Sequence, residues 1–266
     1  MSARSFLPAT AAAQVAGAVV LAFLVLPILA VVPASFNESS FIKIPPAAYS
    51  TRWYAALLGD AGWAHSIVAS VEIAAMATVL SVAIGTTAAL GIERLPGRWR
   101  GVATGVLLAP LIVPVIMISI ALYYAMRRMG LHGSLLALAL GHVLLCLPFV
   151  VLNVGVSLAR LDPSLANAAA GLGASDWRVF RTVTLPAIRP GLVAGAAFAF
   201  VTSFDEVVIS IFLSGVGTKT LPVKLWEQIR VEFTPVAAAG SAVILGVTIV
   251  AFLLVQAIVA RGRRQA

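Results

Sequence analysis

Three carboxylates lie inside strongly apolar runs of this 266-residue chain: Glu72, and the adjacent pair Asp205 and Glu206. A carboxylate at the bilayer centre costs roughly 2.5–3.5 kcal/mol on insertion scales, so such groups face a protein interior or a cavity. For Glu72 two roles are open, a place on a substrate path or an intramembrane hydrogen bond that fixes helix packing. For the pair a path role is favoured, because two adjacent charges are not cheaply hidden together. The remaining reactive groups do not assemble in the sequence. His65, His132 and His142 are scattered, without metal-ligand or triad spacing. The single cysteine, Cys146, excludes an internal disulfide and a Cys-based zinc cluster, and reads as an inert core thiol. A phosphate-binding loop needs Gly-x-x-x-x-Gly-Lys-Ser/Thr; the nearest stretch, Gly215 to Thr220, lacks the Gly-Lys pair.

The elements that position these residues follow from composition. Of the chain, 61% is hydrophobic and 11% charged, with a mean hydropathy of +1.04. Soluble domains are about 45–50% apolar and about 25% charged, so a water-soluble enzyme is excluded. The net charge of +8 would suggest nucleic acid in a soluble protein, but here basic residues flank membrane segments. A spanning helix needs about 20 apolar residues, and six stretches qualify: 11–36, 66–92, 102–126, 133–158, 190–213 and 236–260. They are continuously apolar rather than alternating, which implies helices and not barrel strands. The expected architecture is one all-α transmembrane domain over residues 1–266. The first run has a passable signal-peptide cleavage site near Pro33, yet it is longer than an h-region and reads as a span. Lys and Arg number eleven on one set of alternate connections, including Arg4 and Arg264, and seven on the other. This bias places both termini in the cytoplasm, although Arg127 and Arg128 fall on the outer side.

The connection 159–189 lies on the expected cytoplasmic side. Asp162 is a good N-cap and Pro163 suits the first helical position, while Gly171 and Gly173 stop the helix after about two turns. Such a helix is too short to stand alone, and its small apolar surface reads as a docking face; packing against its own bundle is the alternative. Ser175 is expected to cap a second helix through Val183, with Pro186 and Pro190 limiting continuation into the fifth span. Pro110 and Pro114 predict a kink or break in the third span, and Gly101-x-x-x-Gly105 and Gly191-x-x-x-Gly195 permit close helix contacts.

This connection resembles the EAA loop of permease subunits of binding-protein-dependent ABC importers. The family pattern is Glu-Ala-Ala, three residues, Gly, nine residues, Ile, one residue, Leu-Pro. Here Asn167-Ala168-Ala169 is followed at the same spacing by Gly173, then by Val183, Thr184, Leu185 and Pro186. Trp177, Phe180 and Pro190 also stand where relatives often have them. The resemblance implies the type I importer permease fold, six transmembrane helices with a short cytoplasmic coupling helix between helices four and five. It also implies that Asn167, Ala168, Ala169, Gly173, Leu185 and Pro186 dock an ATPase. Asn167 departs from the usual Glu and cannot form an ion pair there.

The stretch Thr202 to Val208, with Phe204 before the acidic pair, and the stretch Thr220 to Trp226 resemble the spermidine/putrescine permease subfamily. The resemblance implies half of a translocation path for a polyamine, with Phe204, Asp205, Glu206 and Glu72 on it. It further implies a second permease, an ATPase dimer that binds ATP and Mg, and an extracytoplasmic binding protein touching Lys219, Lys224, Trp226, Glu227 and Arg230. The chain itself would hold no cofactor and would sit in a bacterial inner membrane. Alternatives are an importer permease for another organic cation, iron or phosphonate, and a stand-alone secondary transporter, which would need an ion-coupling constellation of its own.

Overall fold

The computed structural model describes residues 7–41, 43–231 and 234–263; Arg4 and Arg264 of the flanking basic set lie outside them. Among the described residues twelve α-helices follow in order. They are α1 (Leu7–Ser35), α2 (Arg52–Gly59), α3 (Ala61–Glu93), α4 (Gly97–Leu108), α5 (Val115–Arg128) and α6 (Leu135–Leu158). Then come α7 (Pro163–Gly171), α8 (Asp176–Val179), α9 (Leu185–Phe204), α10 (Val208–Leu213), α11 (Leu221–Val231) and α12 (Pro235–Arg263). Extended pairing among the described residues is confined to one bridge, Asn37 with Tyr49. A chain this apolar satisfies its backbone groups inside helices.

Five continuous helical stretches among the described residues are long and apolar enough to cross a bilayer, and one bent pair supplies a sixth. The bent pair is the expected third span. α4 tightens into a 3₁₀ turn at Ala109–Leu111 and α5 starts after Pro114, with the two halves inclined by 93°. The cause is local: Pro110 and Pro114 lack N–H donors, so the ladder cannot run through them.

The fifth span departs from expectation at both ends. Pro186 and Pro190 do not stop the helix, which is continuous from Asp176 to Phe204. A π turn over Phe180–Thr184 rearranges the ladder just before Pro186, whose missing N–H would otherwise leave a gap. The second helix expected through Val183 therefore merges with the span, and Ser175 starts it without a side-chain cap bond. At the far end the apolar run 190–213 is not one helix. It breaks at 205–207 and resumes as α10.

The chain divides into two compact units, the described part of Met1–Ala61 with Glu227–Val243, and Gly62–Trp226 with Ile244–Ala266. In the first, every described residue from Ala13 to Leu29 is exposed, as expected of a helix in lipid. The connection after α1 is ordered by its own bonds. Trp53 Nε1 donates to the Asn37 carbonyl at 2.6 Å, and Asn37 Nδ2 donates to the Lys43 carbonyl at 2.8 Å.

In the second unit α6 runs along α9, and small residues set their separation. A Cβ on Gly191 would collide with the Asn153 carbonyl and Ser157 Oγ, and one on Gly195 would lie 3.0 Å from Val150 Cα. The Gly191/Gly195 pair thus makes a close helix contact. Gly101 and Gly105 meet nothing within 4 Å among the described residues. Cys146 and Val150 of α6 pack with Ala89 of α3 and with Ile188 and Ala199 of α9. A second cluster joins Ile73, Ile118, Leu138 and Leu145 to Ile209 and Leu213 of α10.

Candidate functional site

The break in the fifth span is where polar groups gather. Glu206 turns back as a cap: its Oε1 accepts from the Ile209 N–H at 3.0 Å and its Oε2 from the Ser210 N–H at 3.0 Å. Two of the orphan donors at the start of α10 are thereby satisfied by a carboxylate. From α6, the fully buried imidazole of His142 reaches both sides of the break. Its Nδ1 lies 2.7 Å from Ser203 Oγ in the last turn of α9, and its Nε2 lies 3.0 Å from Ser210 Oγ in α10. Glu206 Oε2 is 3.6 Å from Nε2. A serine hydroxyl both donates and accepts, so either neutral tautomer is satisfied.

The four candidate path residues are placed differently. Phe204 is 1% exposed and stacks on Phe200 with ring centroids 5.8 Å apart. Glu206 is buried in the cap, while Asp205 beside it is exposed. Glu72 stands on the exposed face of α3. The break thus separates the acidic pair into one carboxylate engaged by backbone and one that is exposed.

His142 was not singled out by spacing, and neither were the other two histidines. Yet all three bond one segment. His132 Nε2 lies 3.1 Å from the Phe212 carbonyl, and His65 Nε2 lies 2.6 Å from the Gly217 carbonyl. Thr218 reinforces the same region: its hydroxyl accepts from Gly215 N–H at 2.8 Å and donates to the Gly133 carbonyl at 3.0 Å. Leu221 N–H donates to Ser70 Oγ of α3 at 2.8 Å. The segment after α10 is therefore anchored to α3 and to the turn before α6. Among the candidate binding-protein contacts, Lys224 holds its ammonium 4.8 Å from the Trp63 ring centroid, and Lys219 lies half-buried. Trp226, Glu227 and Arg230 are exposed along α11.

The short helix α7 carries the candidate docking residues. Asp162 caps it by accepting from the Ser164 N–H at 2.8 Å, and this bond holds the Asp162 carboxyl below the usual carboxylate range. Its far end closes with Gly173 N–H donating to the Ala170 carbonyl and Ala174 N–H to the Ala169 carbonyl, at 2.9 and 3.1 Å. This paired closure needs a left-handed residue, and Gly173 has φ +81°. No residue of α7 is buried. Asn167 and Ala168 are exposed and Ala169 half-buried, while Leu165 and Leu172 are 55% and 91% exposed. Leu185 and Pro186 lie in the first turn of α9, half-buried and exposed respectively. A capped helix thus rests on the following turn through its half-buried Ala166 and Ala169 and exposes the rest of its small apolar surface.

Comparison with known proteins agrees with this architecture. Residues 81–264 match the model of the binding-protein-dependent transport system inner membrane component family. The chain is 34% identical to the putrescine transport system permease protein PotI of Escherichia coli K12, over 91% of this chain and 89% of the relative. It is 29% identical to the spermidine/putrescine transport system permease protein PotC of the same organism, over 89% of each chain. In structure it resembles a chain of a bacterial ABC transporter involved in the import of the acidic polysaccharide alginate. That match has a TM-score of 0.72 at 15% identity and covers 98% of both chains. The fold is that of a type I ABC importer permease, and the chain belongs to the family of binding-protein-dependent transport system inner membrane components.

Proposed function

We propose that this chain forms half of the translocation path of an ATP-driven polyamine importer in a bacterial inner membrane, with both termini in the cytoplasm. It works with a second permease, and an extracytoplasmic binding protein meets its outer segment through Lys219, Lys224, Trp226, Glu227 and Arg230. ATP and Mg are bound by a separate ATPase dimer. The observation that carries the reading is α7, capped at both ends and with no fully buried residue, as a lever transmitting a partner's motion requires. Asn167, Ala168, Ala169 and Gly173 form the docking face, with Leu185 and Pro186 at its root. Small apolar residues fit a groove without needing the missing Glu charge.

The cargo assignment draws support from the named functions of PotI and PotC and from the exposed Asp205 at the break. A flexible polycation passing this point meets a carboxylate that its neighbours do not consume. Phe204 contributes by packing behind the break, Glu206 by capping α10, and Glu72 by its exposed place on α3. Gentle purification from native membranes with mass spectrometry tests the assembly. Co-purification of an ATPase, a second permease and a binding protein that holds putrescine or spermidine is expected. A chain that emerges alone at several detergent strengths overturns the reading.

A further inference from the structure

The geometry points to His142 as a positioning residue of the substrate path, one that braces the two halves of the interrupted fifth helix and so presents Asp205. This inference rests on the reading of Asp205 as a path carboxylate. At the three-residue break between α9 and α10 the ladder dwindles to a turn, Asp205 N–H to the Val201 carbonyl at 3.1 Å and Glu206 N–H to the Ser203 carbonyl at 3.4 Å, which leaves freedom in the angle between the two halves. His142 removes that freedom by engaging Ser203 on one half and Ser210 on the other. The brace is itself fixed. His142 is fully buried on α6, and one turn on Cys146 Sγ donates to the Ala199 carbonyl of α9 at 3.2 Å. One residue before it, Gly141 leaves room for Ile209, whose Cγ2 would lie 2.9 Å from an added Cβ.

Asp205 sits between the braced Ser203 and the capping Glu206 and is exposed. Its direction is therefore set by residues on both sides that it does not itself contact in the cap. An apolar replacement at 142 would remove the bonds to the Ser203 and Ser210 hydroxyls together, leave Ser210 to the Glu206 carboxylate alone, and release the angle. A carboxamide carries both a donor and an acceptor, so glutamine preserves part of the brace.

The test uses the complete importer in proteoliposomes, with D205C introduced beside the native Cys146, which is fully buried, and a positively charged methanethiosulfonate as probe, the chain without D205C serving as the blank. Releasing one or two buried hydrogen bonds is expected to slow labelling of D205C about tenfold in H142L, with H142Q between H142L and the parent. With Asp205 restored, H142L raises the KM for putrescine uptake about tenfold while Vmax stays within about twofold. S203A and S210A, which remove one contact each and leave the core filled, shift labelling in the same direction. Labelling at the parental rate in S203A, S210A and H142L overturns the brace. Slowed labelling with an unchanged KM overturns the path role of Asp205 instead, so the two failures are told apart. A fall in Vmax at constant KM, equal in H142L and H142Q, marks a merely structural histidine and also overturns the proposal.

Discussion

Gly195 of α9 lies against Val150 of α6 so closely that an added Cβ would sit 3.0 Å from the Val150 Cα. Four residues earlier, Gly191 leaves no room for any side chain against the Asn153 carbonyl and Ser157 Oγ. This seam aligns α6 with α9, and through it His142 with Ser203. Without a hydrophobic driving force between helices in lipid, such close van der Waals packing carries the association.

Replacing Gly191 or Gly195 by valine is therefore expected to destabilise the helix pair by about 1–3 kcal/mol, the usual range for overpacking. Thermal unfolding in detergent reads the effect. The same change at Gly101, where an added Cβ meets nothing within 4 Å among the described residues, is expected to leave the transition unmoved. Equal effects at the three sites would show that the seam does not set the packing.

Closure of α7 depends on Gly173 at φ +81°. A β-branched residue there costs of order 1–2 kcal/mol of local strain, so G173V should lose uptake while inserting in the membrane normally. A168E places a charge on the exposed apolar face and should do the same. Normal uptake by either variant would remove α7 from coupling. At the other end, the Ser164 N–H keeps the Asp162 carboxyl below its ordinary value. The cap is complete at neutral pH and is lost only as pH falls through that depressed value.

The acidic pair should separate by phenotype. D205N removes an exposed charge, so it is expected to raise the KM for putrescine with little change in stability. E206Q keeps one acceptor but loses a charge-assisted bond to the start of α10, and should lower stability by about 1–2 kcal/mol. Uptake kinetics and thermal unfolding on both variants distinguish these outcomes; matching profiles would contradict the division of labour.

Thr218 satisfies two backbone groups at once, one from Gly215 and one from Gly133. T218V should speed hydrogen exchange of the Gly215 amide by about tenfold, as expected for losing roughly 1–2 kcal/mol of local stability. Exchange at the parental rate would mean that the outer segment is held elsewhere.

What the sequence made legible follows from how local each cause is. Long apolar runs mark spans because lipid demands them, and Asp162, Pro163 and Gly173 mark α7 because capping chemistry acts within a turn. The bend after Pro110 was visible for the same reason. The break at 205–207 was not, since no glycine or proline announces it and it depends on Glu206 folding back and on His142, 61 residues before Ser203. Pro186 and Pro190 read as stops, yet Pro186 follows directly on a π turn over Phe180–Thr184 and Pro190 is accommodated inside α9. His65, His132 and His142 looked unrelated because spacing along the chain does not record which helices meet. Their convergence on Ser203 to Gly217 is a property of tertiary packing.

We propose that this chain moves a polyamine by borrowing the work of an ATPase through α7. Uptake of labelled putrescine into proteoliposomes containing the complete importer tests it most directly, with ATP enclosed on the cytoplasmic side and the binding protein outside. Accumulation that requires both ATP and the binding protein and disappears in G173V is expected. Accumulation driven by a proton or sodium gradient without ATP, and undiminished in G173V, would contradict it.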